Sequence, residues 1–312
     1  MRWIALALLS VFLLLTVAAL VFDLATNGEM KSATALYRGP FVRADGTLLA
    51  YRTWGQKTRK SGSPVVLLGG AAEPTWVWHD VGPLLARAGH RVYAVDLPPF
   101  GYSERRGPYT LSHWLGLLEG FERRLHIRRP VIVGHSLGAG VAVAEGLARP
   151  RNVAGVVLLD GDALAFGGGR GWLSHLLVWP YFTAAYRLAT GSDWVVGSVL
   201  RNAWGPHPPP LSHATLAEFE RPFRVDGTDA ALKQLAGGGI PGLTLPELAR
   251  LRVPRAVLWG ADDNVDSLAS GRASAAALHT RLVTIPGAGH VSMLARPGAV
   301  AQRILAFTQS LG

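Results

Sequence analysis

From Trp3 to Phe22 the chain is apolar on every face, with Ser10 and Thr16 as its only polar side chains. A run of that length matches the thickness of a bilayer core, so it predicts a transmembrane helix rather than a buried helix of a globular domain. The pattern then changes. Phe41–Ala44 and Leu48–Trp54 flank an Asp45-Gly46 turn and read as a hairpin. Short apolar runs follow at Val65–Leu68, Arg91–Val95, Val131–Gly134, Val153–Leu159, Ala256–Trp259 and Leu282–Ile285. Runs this short, bounded by turn residues, mark strands covered on both faces, as in a parallel sheet between helical layers. Helical period appears at Val77–Ala88, Leu111–His126 and Met293–Phe307. The resulting expectation is an α/β fold with a mostly parallel central sheet of about eight strands, flanked by helices and preceded by one membrane helix.

One interruption breaks the alternation. Between the strand ending at Leu159 and the one near Val257 lie apolar helical stretches at Trp172–Ala189, Trp194–Ala203 and Leu211–Phe219, with a Pro-His-Pro-Pro-Pro breaker at 206–210. The expected organisation is a transmembrane segment at 1–26, a linker at 27–39 and a first part of the core at 40–160. A helical insertion follows at 161–250, and the second part of the core at 251–312. No stretch recurs at a fixed period, which excludes a solenoid.

Composition changes this picture in three places. At 49% hydrophobic and 17% charged, the 312 residues bury a sizeable core and are not a disordered polymer. The net charge of +10 is dispersed: Lys57, Arg59 and Lys60, then Arg105 and Arg106, then Arg123, Arg124, Arg128 and Arg129 are separated by apolar runs. No nucleic-acid module is spelled, so the reading is a solvated basic surface near a membrane, with no nucleic-acid partner. Cysteine is absent, which rules out disulfides and agrees with a protein of the bacterial envelope. The first apolar run exceeds the usual core of a cleaved signal peptide, so it reads as an anchor; Val17-Ala18-Ala19 marks the alternative cleavage site. Arg2 precedes the span, whereas Lys31 and Arg38 follow only after Asp23 and Glu29, and the domain that follows the span is placed on the outer face.

The chemistry starts at Gly134-His135-Ser136-Leu137-Gly138, where a strand feeds a Gly-x-Ser-x-Gly turn and then small, helix-compatible residues. That is the spelling of a nucleophile elbow, which lifts a serine hydroxyl above a sheet and aims a helix N-terminus at it. Gly260-Ala261-Asp262-Asp263 and Gly287-Ala288-Gly289-His290 follow downstream, each after an apolar run. With Asp96-Leu97-Pro98-Pro99-Phe100-Gly101-Tyr102-Ser103, these landmarks resemble the α/β-hydrolase fold superfamily over roughly residues 40 to 310, in its chain order of serine, acid, histidine.

The resemblance implies Ser136 as nucleophile, His290 as general base and Asp263 as the acid that orients it, in preference to Asp262 or Asp266. An acid after the preceding strand, Asp160 or Asp162, is the other placement such proteins use. It implies an oxyanion hole from the Ala71 and Leu137 N–H groups, with Gly69 standing where the family usually has a histidine. Asp96 resembles the family's structural carboxylate, and His135 reads as packing or hydrogen bonding beneath Ser136.

Serine at the elbow implies acyl transfer to water, hence a carboxylic ester hydrolase acting on a small apolar ester. Trp172 and Trp179, with Trp194, Trp204, Phe182 and Tyr186, are expected either to line an acyl pocket, to join the insertion to the core or to lean on the bilayer. The same triad serves cofactor-free haloperoxidases, carbon–carbon bond hydrolases and aminopeptidases, and a membrane-anchored binding module is the non-enzymatic alternative. No metal-ligand spacing or phosphate-cradling glycine loop occurs, so no metal and no cofactor are expected.

Overall fold

A computed structural model describes residues 2–55, 62–165 and 180–312 of the chain. Strands β1 (Phe41–Ala44) and β2 (Thr47–Trp54) form the expected hairpin. Its two turn residues, Asp45 and Gly46, both have positive φ, as a two-residue turn matched to strand twist requires. β3 (Val65–Leu68), β4 (Val92–Val95), β5 (Val131–His135), β6 (Gly155–Leu159), β7 (Arg255–Gly260) and β8 (Leu282–Ile285) complete an eight-stranded sheet in the order β1-β2-β4-β3-β5-β6-β7-β8. β2 pairs antiparallel with both its neighbours, and the ladders from β4 to β8 are parallel.

The continuous apolar spelling of β3 has a direct cause. Val66 and Leu68 pack with α4 (Leu111–Arg124), α5 (Leu137–Ala148) and α11 (Leu268–Ala277), whereas Val65 and Leu67 pack with α3 (Val81–Arg87) and α13 (Pro297–Gln309). Alternate side chains enter opposite layers, and both layers are dry, so neither face has a polar position. Two expected helices are broken by proline. The stretch from Val77 becomes a 3₁₀ turn at Thr75–Trp78 followed by α3, because Pro83 is tolerated only in the first turn of a helix. The closing helix divides into α12 (Ser292–Ala295) and α13, with Pro297 as the first residue of the latter.

Between β6 and β7 the described residues form α6 (Tyr181–Thr190), α7 (Asp193–Trp204), α8 (His213–Glu220), α9 (Thr228–Gly238) and α10 (Leu245–Leu248). Ser192 and Ser212 cap α7 and α8 by accepting the Val195 and Thr215 N–H groups.

α1 (Arg2–Asn27) is one helix long and apolar enough to cross a membrane, and most of its surface is exposed. Its C-terminal half lies along α6. Tyr181 and Thr16 share a hydroxyl contact of 2.5 Å, and Arg187 donates to the Asp23 carbonyl and the Thr26 hydroxyl at 3.1 and 3.0 Å while pairing with Asp229 at 2.9 Å. The expected linker, 27–39, is tied to the same body: Lys31 and Asp226 exchange with Arg224 and Lys31 at 2.9 and 2.8 Å, and Tyr37 stacks on Tyr102 with centroids 5.0 Å apart. Within it, α2 (Ala33–Leu36) forms a single turn.

Candidate active site

Ser136 sits between β5 and α5 with φ 49° and ψ −119°, a conformation that costs energy for any residue with a side chain. The flanking glycines make the turn possible. A Cβ on Gly134 would lie 2.1 Å from the Gly138 carbonyl oxygen, and one on Gly138 would lie 2.7 Å from that of Gly69. The strand extends one residue past Gly134, to His135, and the Ser136 N–H still closes onto the Leu159 carbonyl at 3.0 Å.

Asp263 leaves β7 in a tight turn in which its Oδ1 accepts the Val265 and Asp266 N–H groups, both at 2.9 Å. This leaves Oδ2 aimed at His290, 2.9 Å from Nδ1, with no side-chain surface exposed on the aspartate. A carboxylate acceptor at Nδ1 selects the tautomer whose Nε2 has a free lone pair. The histidine loop is held from outside the sheet. At the end of α7 the Trp204 and Ala203 carbonyls accept the Gly289 and Val291 N–H groups at 2.9 and 3.1 Å, which brackets His290 on both sides. Asn202 also bonds Asn264, beside the acid.

The other carboxylates are engaged elsewhere. Asp160 is fully buried and accepts the Gly260 N–H at 2.6 Å and both the N–H and the hydroxyl of Ser292. Burial pushes it up to about 7, against the pull of His135 and these donors. Asp162 accepts from Leu164 and Ser270, and the Asp262 side chain is exposed. Asp266 lines the cleft; burial and the neighbouring Asp162 and Asp263 charges push it up to about 6. Asp96 braces the loops around it through the Thr75 and Tyr102 N–H groups at 2.6 and 2.8 Å. Among the described residues no three such side chains converge as metal ligands would.

Ser136, His290, Ala71 and Leu137 all open onto one cleft of about 420 Å³. Its remaining wall is largely aliphatic, with Leu164, Ile240, Pro241 and Val265. Trp172 and Trp179 lie outside the described residues. The described aromatic residues of the insertion do not line the cleft: Trp194 is 75% exposed on α7, Tyr186 bonds Asp229, and Trp204 packs against the core. Trp194 is on a face of α7 that points to the surface and Trp204 joins the insertion to the core, so neither lines the cleft among the described residues. Pro241 and Ile240 take that place, from a glycine-rich stretch with no helical period to draw attention to it.

Sequence reasoning also missed Glu73, which belongs to no motif. It accepts the Gly70 N–H at 2.6 Å and contacts His135 Nδ1 at 2.7 Å. Burial works against charge on His135, yet the Glu73 carboxylate, with Asp160 and the His290 carbonyl, pushes it up to about 9. Burial likewise works against charge on Glu73, and His135 more than offsets it, holding the carboxyl below its usual range.

Comparison with known proteins agrees with this architecture. A family described as the alpha/beta hydrolase family matches residues 65–303. An uncharacterized hydrolase of Bacillus subtilis, YugF, is 24% identical over 84% of this chain and 95% of its own length. A 2-hydroxymuconate semialdehyde hydrolase of a Pseudomonas species is 32% identical over 34% of this chain and 39% of its own. Among solved structures, a bacterial membrane phospholipase A superposes with a TM-score of 0.68 at 21% identity, covering 99% of this chain and 97% of that one. The enol-lactonase of Burkholderia xenovorans LB400 gives 0.70 at 23%, covering 86% and 100%. These structural likenesses speak for the fold alone, but the family match spans most of the sheet together with Ser136, Asp263 and His290. The chain belongs to the alpha/beta hydrolase family.

Proposed function

We propose that this chain is a membrane-anchored serine hydrolase that cleaves carboxylic esters with an apolar acyl part through an acyl-enzyme on Ser136. The observation that carries the reading is the His290–Asp263 contact of 2.9 Å on a cleft shared with Ser136 and walled by aliphatic side chains. In the first half-reaction His290 Nε2 takes the Ser136 proton as the hydroxyl oxygen attacks the ester carbonyl. The Ala71 and Leu137 N–H groups hold the oxyanion, and His290 returns the proton to the departing alcohol. Water then repeats the sequence on the acyl-enzyme, and free Ser136 is restored. Asp263 orients the ring and stabilises its charged form throughout.

The membrane assignment is supported by α1 and by the likeness to a membrane phospholipase A, which extends over 99% of this chain. The docking of α1 on α6 supports an anchor that stays with the enzyme, and the charges about the span, with Arg2 before it and Asp23 and Glu29 directly after it, support the outer face for the catalytic domain. A second reading, hydrolysis of a carbon–carbon bond beside a carbonyl, is favoured by the partial match to a semialdehyde hydrolase.

A fluorophosphonate probe tests the proposal. Covalent labelling at Ser136, abolished together with p-nitrophenyl ester turnover in Ser136→Ala, is the expected result. Labelling that persists in the alanine variant overturns it, and labelling without turnover of any ester favours the second reading.

A further inference from the structure

His135 is completely buried one residue before Ser136, and both its ring nitrogens are occupied. Nε2 lies 2.8 Å from the carbonyl of His290, which only accepts, so Nε2 carries a proton. Nδ1 lies 2.7 Å from Glu73 Oε2, and that same oxygen takes the Gly70 N–H at 2.6 Å. A single imidazole therefore joins the loop after β3, the elbow and the histidine loop. Asp160 stands 3.9 Å away on its other side, and it holds Gly260 at the end of β7 and Ser292 beyond His290.

Stability alone is a poor reason for such a pair, because a buried ion pair often gains little over an apolar replacement of the same shape. Geometry supplies a better one. The loop after β3 presses against the nucleophile: a Cβ on Gly70 would lie 2.8 Å from the Ser136 Cβ and 3.1 Å from His135 Nδ1. Ala71 is the next residue and lines the cleft beside Ser136. We propose that Glu73 is a positioning residue: by holding the Gly70 N–H and the His135 ring on one oxygen, it fixes the Ala71 N–H at the point where the oxyanion forms. This rests on the reading of Ser136 as nucleophile and Ala71 as oxyanion donor. A donor aimed at a charge that develops only in the transition state acts on kcat rather than on ester binding.

The test uses the full-length chain in detergent, with Glu73→Gln, Glu73→Asp, His135→Gln and the double variant Glu73→Gln/His135→Gln. Turnover of a p-nitrophenyl ester and the rate of fluorophosphonate labelling are read in each. Glu73→Gln is expected to lower kcat by about ten- to a hundredfold, with KM held within about threefold, and to slow labelling in parallel. Glu73→Asp restores part of the loss, and the double variant costs less than the sum of the two single variants, because Glu73 and His135 hold the same loop together. Unchanged kcat in Glu73→Gln, a loss confined to KM, or strictly additive effects in the double variant overturns the proposal. Should Glu73→Gln fail to fold, His135→Gln carries the same kcat and KM criterion. Ser136→Ala run alongside separates the two claims, since labelling that survives it overturns the nucleophile reading whatever Glu73 does.

Discussion

Nδ1 of His290 lies 2.9 Å from Oδ2 of Asp263, whose other oxygen is held by two backbone N–H groups of its own turn. An amide at 263 presents either an NH₂ group to the ring or an oxygen without the charge that stabilises the imidazolium. Asp263→Asn is therefore expected to lower kcat/KM by about a thousandfold or more, while Asp262→Asn, at an exposed side chain, leaves it nearly unchanged. Steady-state ester kinetics on purified variants decide this. The reverse ranking, or a collapse in Asp160→Asn with the fold intact, shows that the acid lies elsewhere.

The aliphatic wall formed by Leu164, Ile240, Pro241 and Val265 sets an expectation for chain length. Each methylene that reaches the wall contributes up to about 0.8 kcal/mol, so kcat/KM across p-nitrophenyl esters of rising length climbs and then levels off. Ile240→Phe, by filling part of the cleft, moves the plateau to a shorter chain. A profile that is flat in the wild type and unmoved in the variant contradicts an acyl site in this cleft.

His135, faced by Glu73, Asp160 and the His290 loop, is expected to make stability depend on pH. Its folded value is raised from 6.5 to about 9, with Glu73 and Asp160 prevailing over burial. A raised value means that the charged ring stabilises the fold fully below about pH 6.5, and that this contribution is lost as pH rises through about 9. Thermal unfolding followed over that window is expected to show Tm falling in the wild type and a flatter profile in His135→Gln. Parallel curves for the two would place the pH dependence on other groups.

Along α6, Arg187 ties the Asp23 carbonyl and Thr26 of α1 to Asp229 of α9. The full-length chain is expected to stay in the membrane fraction through an alkaline carbonate wash, and a chain beginning at Lys31 is expected to be released. Mass spectrometry checks the N-terminus directly: a mature protein that starts near Ala19 replaces the anchor with a cleaved signal.

Much of the fold was legible in the sequence because its signals are local. Val65–Leu68 and Val131–Val133 spell strands covered on both sides, Asp45-Gly46 spells a hairpin turn, and Gly134 and Gly138 spell an elbow that no side chain other than hydrogen permits. Ser136 and His290 stood out for the same reason, each in a turn whose glycines announce it. Local signals also misled: helical period ran through Pro83 and Pro297, where the ring of proline ends one helix or starts the next. The α11 helix escaped notice because glycine, serine and alanine give it no apolar stripe.

What the sequence leaves open depends on distances across the chain. Asp160, Asp162, Asp262, Asp263 and Asp266 are chemically the same residue, and only the meeting of the turns after β7 and β8 points Asp263 at His290. Glu73 has no motif, since its meaning comes from His135, 62 positions away. The hold of α7 on the histidine loop joins backbone groups, and these carry no side-chain signature at all. Which side chains line the cleft was decided by the direction in which each helix faces. Trp194 turned to the surface, and the unremarkable Ile240 and Pro241 came to lie beside Ser136.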